Sequence, residues 1–210
     1  MKPALVILAA GASQRLGECK ALVDLAGSTP LERLARAGRC FDDGRVRVVT
    51  GAQHAAIVTR APRGLALLNN KEWQAGRTGG VALAWRELPG RDLVLAPVDC
   101  PLVPAEVFTA LLAAWIDAGS PADGWLGPRY SGTLPQRLLA HGRFGHPVVL
   151  GRGLLGQLAG MTPNTPLKQL RARADPLLSV DVSALATLDD LDRPADLERI
   201  RRAAETGESA

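Results

Sequence analysis

The stretch that most constrains this chain is Leu5-Val6-Ile7-Leu8-Ala9-Ala10-Gly11-Ala12-Ser13-Gln14-Arg15-Leu16-Gly17-Glu18-Cys19-Lys20. Leu5 to Leu8 is an unbroken apolar run, the pattern of a strand buried on both faces. The chain then turns small: Ala9, Ala10, Gly11, Ala12 and Ser13 leave little side chain between the backbone and whatever sits on it. Small residues let backbone N–H groups point at a phosphate without steric interference, as in an anion-binding nest. Arg15 and Lys20 add positive charge, Arg as a fork for two phosphate oxygens and Lys as a mobile point charge. The combination reads as a seat for a triphosphate. The plainer alternative is a Gly-rich turn after a core strand, with both cations merely solvated.

The spacing excludes two other phosphate loops. The P-loop requires G-x-x-x-x-G-K-[ST], whereas Gly17 is followed by Glu18 and Cys19. The dinucleotide fingerprint requires G-x-G-x-x-G, and Ser13 stands two places after Gly11.

The 210 residues suit one α/β domain with a sizeable core. No apolar run approaches the ~20 residues of a membrane span. Met1-Lys2-Pro3 leads straight into a strand, so no signal peptide is expected. Cys19, Cys40 and Cys100 are scattered, with no C-x-x-C pair, and read as free thiols of a cytoplasmic protein. A net charge of +4 is too mild and too dispersed to argue for nucleic acid, but it suits a polyanionic small substrate.

Along the chain, apolar runs alternate with helical patterns. Strands are expected at Leu5–Leu8, Val46–Thr50, Leu65–Leu68, Leu93–Ala96, Pro147–Leu150 and Leu177–Val182. Helices are expected after Thr29-Pro30, over Ala52–Arg60, Thr78–Glu87, Pro104–Asp117, Leu154–Ala159 and Leu167–Arg173, and over Pro194–Ala204. That alternation argues for a mostly parallel sheet covered on both faces, a three-layer α/β/α sandwich. The domain is expected over 1–205, with 119–145 an excursion from the sheet on the acceptor side and 206–210 a frayed tail. Ligands in open α/β sheets bind beyond the carboxyl ends of the strands. The small-residue loop, Asn69-Asn70 and Asp99 each follow an expected strand, so a parallel sheet would bring them to one edge.

Asp99, locked between Pro97 and Pro101, is placed to bind a hard cation through oxygen. Magnesium is held by one or two carboxylates plus substrate phosphates. Asp99 reads equally well as a turn residue capping the next helix. Asp192, in Asp190-Leu191-Asp192-Arg193-Pro194-Ala195-Asp196, is a candidate second carboxylate or another helix cap. His146 stands either at the pocket or in a hydrogen-bonded turn before Pro147. Trp73 and Trp125 fit a pocket wall or the core. Cys100 has no visible base partner and reads as structural.

These segments resemble one family in order. Leu8–Lys20 fills every named position of L-A-A-G-x-S-x-R-x-G-x-x-K. Asn70-x-x-Trp73-x-x-Gly76, Asp99-Cys100-Pro101, Gly142–Pro147 (G-x-x-G-H-P) and Asp190–Asp196 follow. Over nearly its whole length the chain resembles the molybdenum cofactor cytidylyltransferase and guanylyltransferase group. The first motif is shared by many nucleotidyltransferases, and the G-H-P motif draws the likeness toward the molybdopterin branch. The resemblance implies a Rossmann-like mixed sheet of the nucleotide-diphospho-sugar transferase kind and a Mg²⁺-dependent enzyme. It would join an NMP, CMP from CTP first, to molybdopterin and release pyrophosphate. Alternatives are a sugar-phosphate or phospho-alcohol acceptor, or a nucleotide-binding module without turnover. Arg15 and Lys20 are the implied catalytic cations. Leu8 to Ser13, Asn70, Gly76, Thr78 and Gly79 are the implied nucleotide contacts, Asp99 and Asp192 the metal ligands, and His146 an acceptor contact. A molybdoenzyme or its chaperone is an implied partner. Ala10 resembles the cytidylyl members more than the guanylyl ones. Gly80, Val98 and Arg193 depart from the family's usual Ser, Gly and Thr, so one side-chain contact to nucleotide is absent.

Overall fold

The opening apolar run forms β1 (Ala4–Ala9) at the middle of a seven-stranded sheet. The computed structural model describes residues 1–41 and 45–206. After β1 come α1 (Pro30–Ala37), β2 (Arg47–Thr50), α2 (His54–Arg60), β3 (Ala66–Asn69), α3 (Arg77–Arg86), β4 (Leu93–Pro97) and α4 (Ala105–Asp117). The second half adds β5 (Trp125–Tyr130), β6 (Val148–Leu150), α5 (Arg152–Gly156), α6 (Leu167–Arg171), β7 (Leu177–Val182) and α7 (Pro194–Thr206). The strand order is β3-β2-β1-β4-β6-β5-β7, and β6 alone among these strands runs against its neighbours.

Alternation along β1 explains the layers. Leu5, Ile7 and Ala9 join a core with Leu31 and Leu34 of α1 and with Phe108, Leu111 and Trp115 of α4. Ala4 and Val6 point the other way, into a core with Val81 and Ala84 of α3 and Leu154 of α5. A strand that must be apolar at every position is therefore one sandwiched between two helical layers. The expected mostly parallel α/β sheet is what forms. Among the described residues no helix is long and apolar enough to cross a membrane.

A third, smaller core fixes the site. Leu16 from the small-residue loop, Val23 and Leu25 pack on Leu191, Leu197 and Ile200. Each fully buried aliphatic side chain is worth about 1.5–3 kcal/mol, so this cluster holds the far end of the chain against the first loop. The N-terminus of α1 carries the Thr29–Glu32 capping box that satisfies its first N–H groups.

Two segments differ from the sequence expectation. Residues 119–145 are not simply an excursion, because Trp125–Tyr130 is strand β5, pairing with β6 on one side and β7 on the other. The final helix continues through Thr206, and the expected frayed tail beyond it lies outside the described residues.

Candidate active site

The sheet's strand order reverses between β1 and β4, and a cleft opens at the carboxyl ends of these two strands. This is the ligand position expected of an open α/β sheet. The cleft is a cavity of about 550 Å³. Its walls come from Leu8 through Arg15 and Lys20, from Asn70, Trp73, Gly76, Arg77 and Gly80, and from Pro97, Val98, Asp99 and Asp192. The loop, Asn70 and Asp99 thus meet at one edge from positions far apart in sequence.

Local chemistry shapes each wall. Ser13 takes a left-handed conformation (φ 53°), and its carbonyl accepts from the N–H of Leu16 and Gly17. Its hydroxyl oxygen accepts from the N–H of Lys20 at 3.3 Å, which folds the cations back over the loop. Ala10 O accepts from Ala52 N at 3.1 Å. That close approach needs Gly51, where a Cβ would stand 2.6 Å from both Ala10 O and Trp73 Cβ. Asn70 is buried; its Oδ1 accepts from Glu72 N–H at 3.2 Å, and its amide Nδ2 has no protein partner among the described residues.

The charged groups form one network. Lys20 Nζ donates to Asp99 Oδ1 at 3.2 Å and to Asp192 Oδ1 in a short bond. Arg15 pairs with Asp192 Oδ2 at 2.7 Å, and Arg77 lies 3.7 Å from Asp99 Oδ2. Two carboxylates face three cations, so the cleft carries one excess positive charge before any ligand enters. Partial burial works against ionisation of Asp192, but the Lys20 bond and charge, then Arg15, outweigh it and hold the carboxyl below the ordinary range.

The acids are brought into register by backbone. Leu191 N–H donates to Asp99 O at 2.7 Å, tying the two acidic segments together. Asp196 caps α7 by accepting from the N–H groups of Asp192 and Arg193. Asp190 points elsewhere and accepts from Cys100 Sγ at 3.2 Å. Burial first, and the Asp190 carboxylate next, push the Cys100 thiol well above its ordinary value. A thiol kept protonated in this way is structural.

Asp99 and Asp192 grip one ammonium between them, so the pair can grip a small cation at the same place. Among the described residues no group of three or more His, Cys, Asp or Glu side chains is disposed to hold a metal. A divalent ion here would therefore complete its shell from phosphate and water, the way magnesium is usually bound.

Not every sequence candidate reaches this cleft. Thr78 and Gly79 lie on the other side of α3. The Thr78 hydroxyl donates to Thr165 O at 2.5 Å, and a Cβ on Gly79 would touch Pro163. Helical phase explains this: Arg77 and Gly80, three apart, share the face toward the cleft, and the two residues between them turn away. His146 lines a second, adjoining cavity of about 250 Å³. Trp125, Phe144, Lys168 and Arg171 also line it, with the Arg171 guanidinium 5.1 Å from the centre of the Phe144 ring. His146 Nδ1 is sealed from solvent without a partner among the described residues. Burial first, and the charge of Arg77 next, push its pKa down to about 4. Trp73, offered by the sequence as pocket wall or core, stands in the cleft wall with Gly80, and so does Arg77, which no sequence motif marks.

Residues 5–177 match the family model described as the MobA-like NTP transferase domain. No curated protein matches the chain in sequence. Solved structures share its fold. Rv0371c from Mycobacterium tuberculosis H37Rv is 22% identical, with 96% of this chain and 98% of that one covered at a TM-score of 0.75. A second structure of Rv0371c, in complex with manganese, is 20% identical, covers 97% of this chain and 100% of that one, and has a TM-score of 0.71. The Rv0371c homologue of Mycobacterium sp. strain JC1 is 23% identical over 99% and 100%, at 0.76. Molybdopterin-guanine dinucleotide biosynthesis protein A from Archaeoglobus fulgidus is 19% identical over 98% and 100%, at 0.69.

Proposed function

Since the chain belongs to the MobA-like NTP transferase domain family and is therefore a nucleotidyltransferase, we propose that it joins the NMP of an NTP, CTP first, to a phosphorylated small molecule, molybdopterin first. An oxygen of the acceptor phosphate forms a bond to the α-phosphorus. The bridging α–β bond breaks, and pyrophosphate leaves with the electron pair. The supporting observation is the Lys20 ammonium held between Asp99 and Asp192, beside Arg15, at the mouth of the small-residue loop.

Phosphoryl chemistry of this kind asks the protein for positioning and charge neutralisation more than for covalent work. Among the described residues, the N–H groups of Gly11, Ala12 and Ser13 donate to no protein acceptor, so they are free to hold phosphate oxygens. Lys20 neutralises the α-phosphate region, and Arg15 the departing phosphates. Asn70, with its carbonyl oxygen tied to Glu72 N–H, offers a fixed donor to the nucleoside. Asp99 and Asp192 hold a divalent cation, Mg²⁺ by expectation, which supplies further charge neutralisation when bound. The manganese complex of Rv0371c supports a divalent ion in this fold.

The acceptor body is placed in the second cavity, where His146 stands as a neutral group. The resemblance over the G-H-P segment supports molybdopterin. A specific observation favours a second reading, a sugar-phosphate or phospho-alcohol. Among the described residues the second cavity is lined by Arg77, Lys168 and Arg171 and by no carboxylate, which would be the natural partner of a pterin's N–H edge.

A pyrophosphate-release screen decides between these. Four NTPs are offered with molybdopterin and with several phosphorylated acceptors, with and without Mg²⁺. Release is expected with CTP and molybdopterin only when Mg²⁺ is present, and Lys20→Ala is expected to abolish it in a folded protein. Normal turnover in Lys20→Ala removes Lys20 from the mechanism, and nucleotide binding with no release under any pairing identifies a non-catalytic module.

A further inference from the structure

The nucleotide cleft and the second cavity share a wall made by Leu8, Arg77 and Pro97. Of these three only Arg77 carries charge. We propose that Arg77 bridges the two substrates, holding the acceptor's phosphate against the α-phosphate during transfer. This rests on the nucleotidyltransferase reading of the cleft and adds to it a residue that the motifs do not mark.

The need is electrostatic. An acceptor phosphate must approach a triphosphate that is itself anionic, and two like charges in contact repel strongly in a partly desolvated cleft. Lys20 and Arg15 are committed to the nucleotide side by their bonds to Asp192. Lys168 and Arg171 line only the acceptor side. A guanidinium on the shared wall can present N–H groups to both phosphates at once, because its five donors fan out in a rigid plane.

Arg77 is also free to do this. Its contact with Asp99 is 3.7 Å, an ion pair beyond good hydrogen-bond length, and its side chain is 56% exposed. Its position has no local explanation. Arg77 is the first residue of α3, where the helix dipole disfavours a cation, and no acidic residue stands in that first turn. What puts it there is Gly76, with φ 131° and with Pro163 O 2.5 Å from where a Cβ would stand. That backbone starts the helix at the boundary between the cavities. When Arg77 turns to phosphate it also uncovers Asp99 Oδ2.

The test uses inorganic phosphate as the probe. The full-length protein is saturated with Mg²⁺ and the α,β-methylene analogue of CTP, or of whichever NTP binds best, and phosphate is titrated by calorimetry. Arg77→Met is expected to weaken phosphate binding by about tenfold or more, the scale of a lost charge-assisted fork, and to weaken binding of the analogue as well, because the α-phosphate loses its share of the same guanidinium. Arg77→Lys, which keeps charge but not the fork, is expected to fall between. Unchanged phosphate affinity in Arg77→Met, or no phosphate binding by the loaded wild type, overturns the proposal and leaves the transfer reading standing. A loss on one side only, of phosphate affinity with the analogue bound as in wild type or of analogue affinity with phosphate bound as in wild type, assigns Arg77 to a single substrate and overturns the bridge. Failure of the wild-type protein to bind any nucleotide analogue overturns both readings together.

Discussion

Replacing Lys20 by Met tests the geometry on which the site depends, through metal binding alone. Lys20 Nζ stands where a cation shared by Asp99 and Asp192 would stand. If the ammonium stayed in place, an entering divalent ion would lie within about 4 Å of it, repelled by about 2 kcal/mol at the dielectric of water and about 8 kcal/mol at an effective dielectric of 20. The Lys20 side chain is 12% exposed, so the true figure lies above the lower bound. Even about 2 kcal/mol corresponds to roughly 30-fold in affinity. Free Mn²⁺ is therefore expected to bind Lys20→Met at least about 30-fold more tightly than wild type when no nucleotide is present. The triphosphate reverses the balance in wild type by drawing the ammonium onto its own oxygens, so the wild-type ion enters with the nucleotide. The assay is a titration read by the electron paramagnetic resonance of unbound Mn²⁺, with and without CTP. Folding is not at stake, because Asp192 keeps Arg15 and Asp99 keeps Arg77. Equal Mn²⁺ affinity in the two proteins would refute the reasoning, since ammonium and ion would then not compete for one position.

Two further outcomes follow from packing and titration. His146 has its pKa depressed to about 4 in the folded protein, against about 6.5 in an unfolded chain. The unfolded chain thus takes up a proton that the folded one refuses, so full stability holds above about pH 6.5 and falls by up to about 3 kcal/mol as pH drops through 4. Urea unfolding at pH 7 and pH 4.5 is expected to show a smaller loss in His146→Gln than in wild type; equal losses would remove His146 as the cause. Gly145→Ala would place a Cβ 2.1 Å from Thr187 O, in a segment pinned by Gly145 N to Pro128 O and by His146 N to Thr187 O. It is expected to lower the urea midpoint by an amount worth about 1–3 kcal/mol or more, and an unchanged midpoint would show that the loop can shift.

The sequence made legible what local chemistry decides and hid what neighbours decide. β1 and β4 announce themselves because both of their faces are buried, which forces apolar residues at nearly every position. The cation loop and the acids were visible because they combine residue types that a plain turn does not need. β5 was not visible, since Gly127, Pro128 and Arg129 read as loop. Pro128 is tolerated there because β6 is only three residues long and pairs with Trp125 and Leu126 alone. Beyond its end the pairing on that side is an isolated antiparallel bridge between Arg129 and Phe144, in which the Pro128 carbonyl accepts from Gly145 N–H and the Tyr130 N–H donates to Arg143 O, and neither bond needs a Pro128 N–H. The length of one strand thus decides whether another can hold a proline, and no window of sequence contains both. The same holds at α3. The motif spacing selects Gly76, Thr78 and Gly79 alike, but only the helical phase, set by where Gly76 starts the helix, decides that Arg77 and Gly80 face the cleft. A residue's part in this site therefore follows from the angle at which its element enters the cleft, which is why a cation on the wall between two cavities carries no motif of its own.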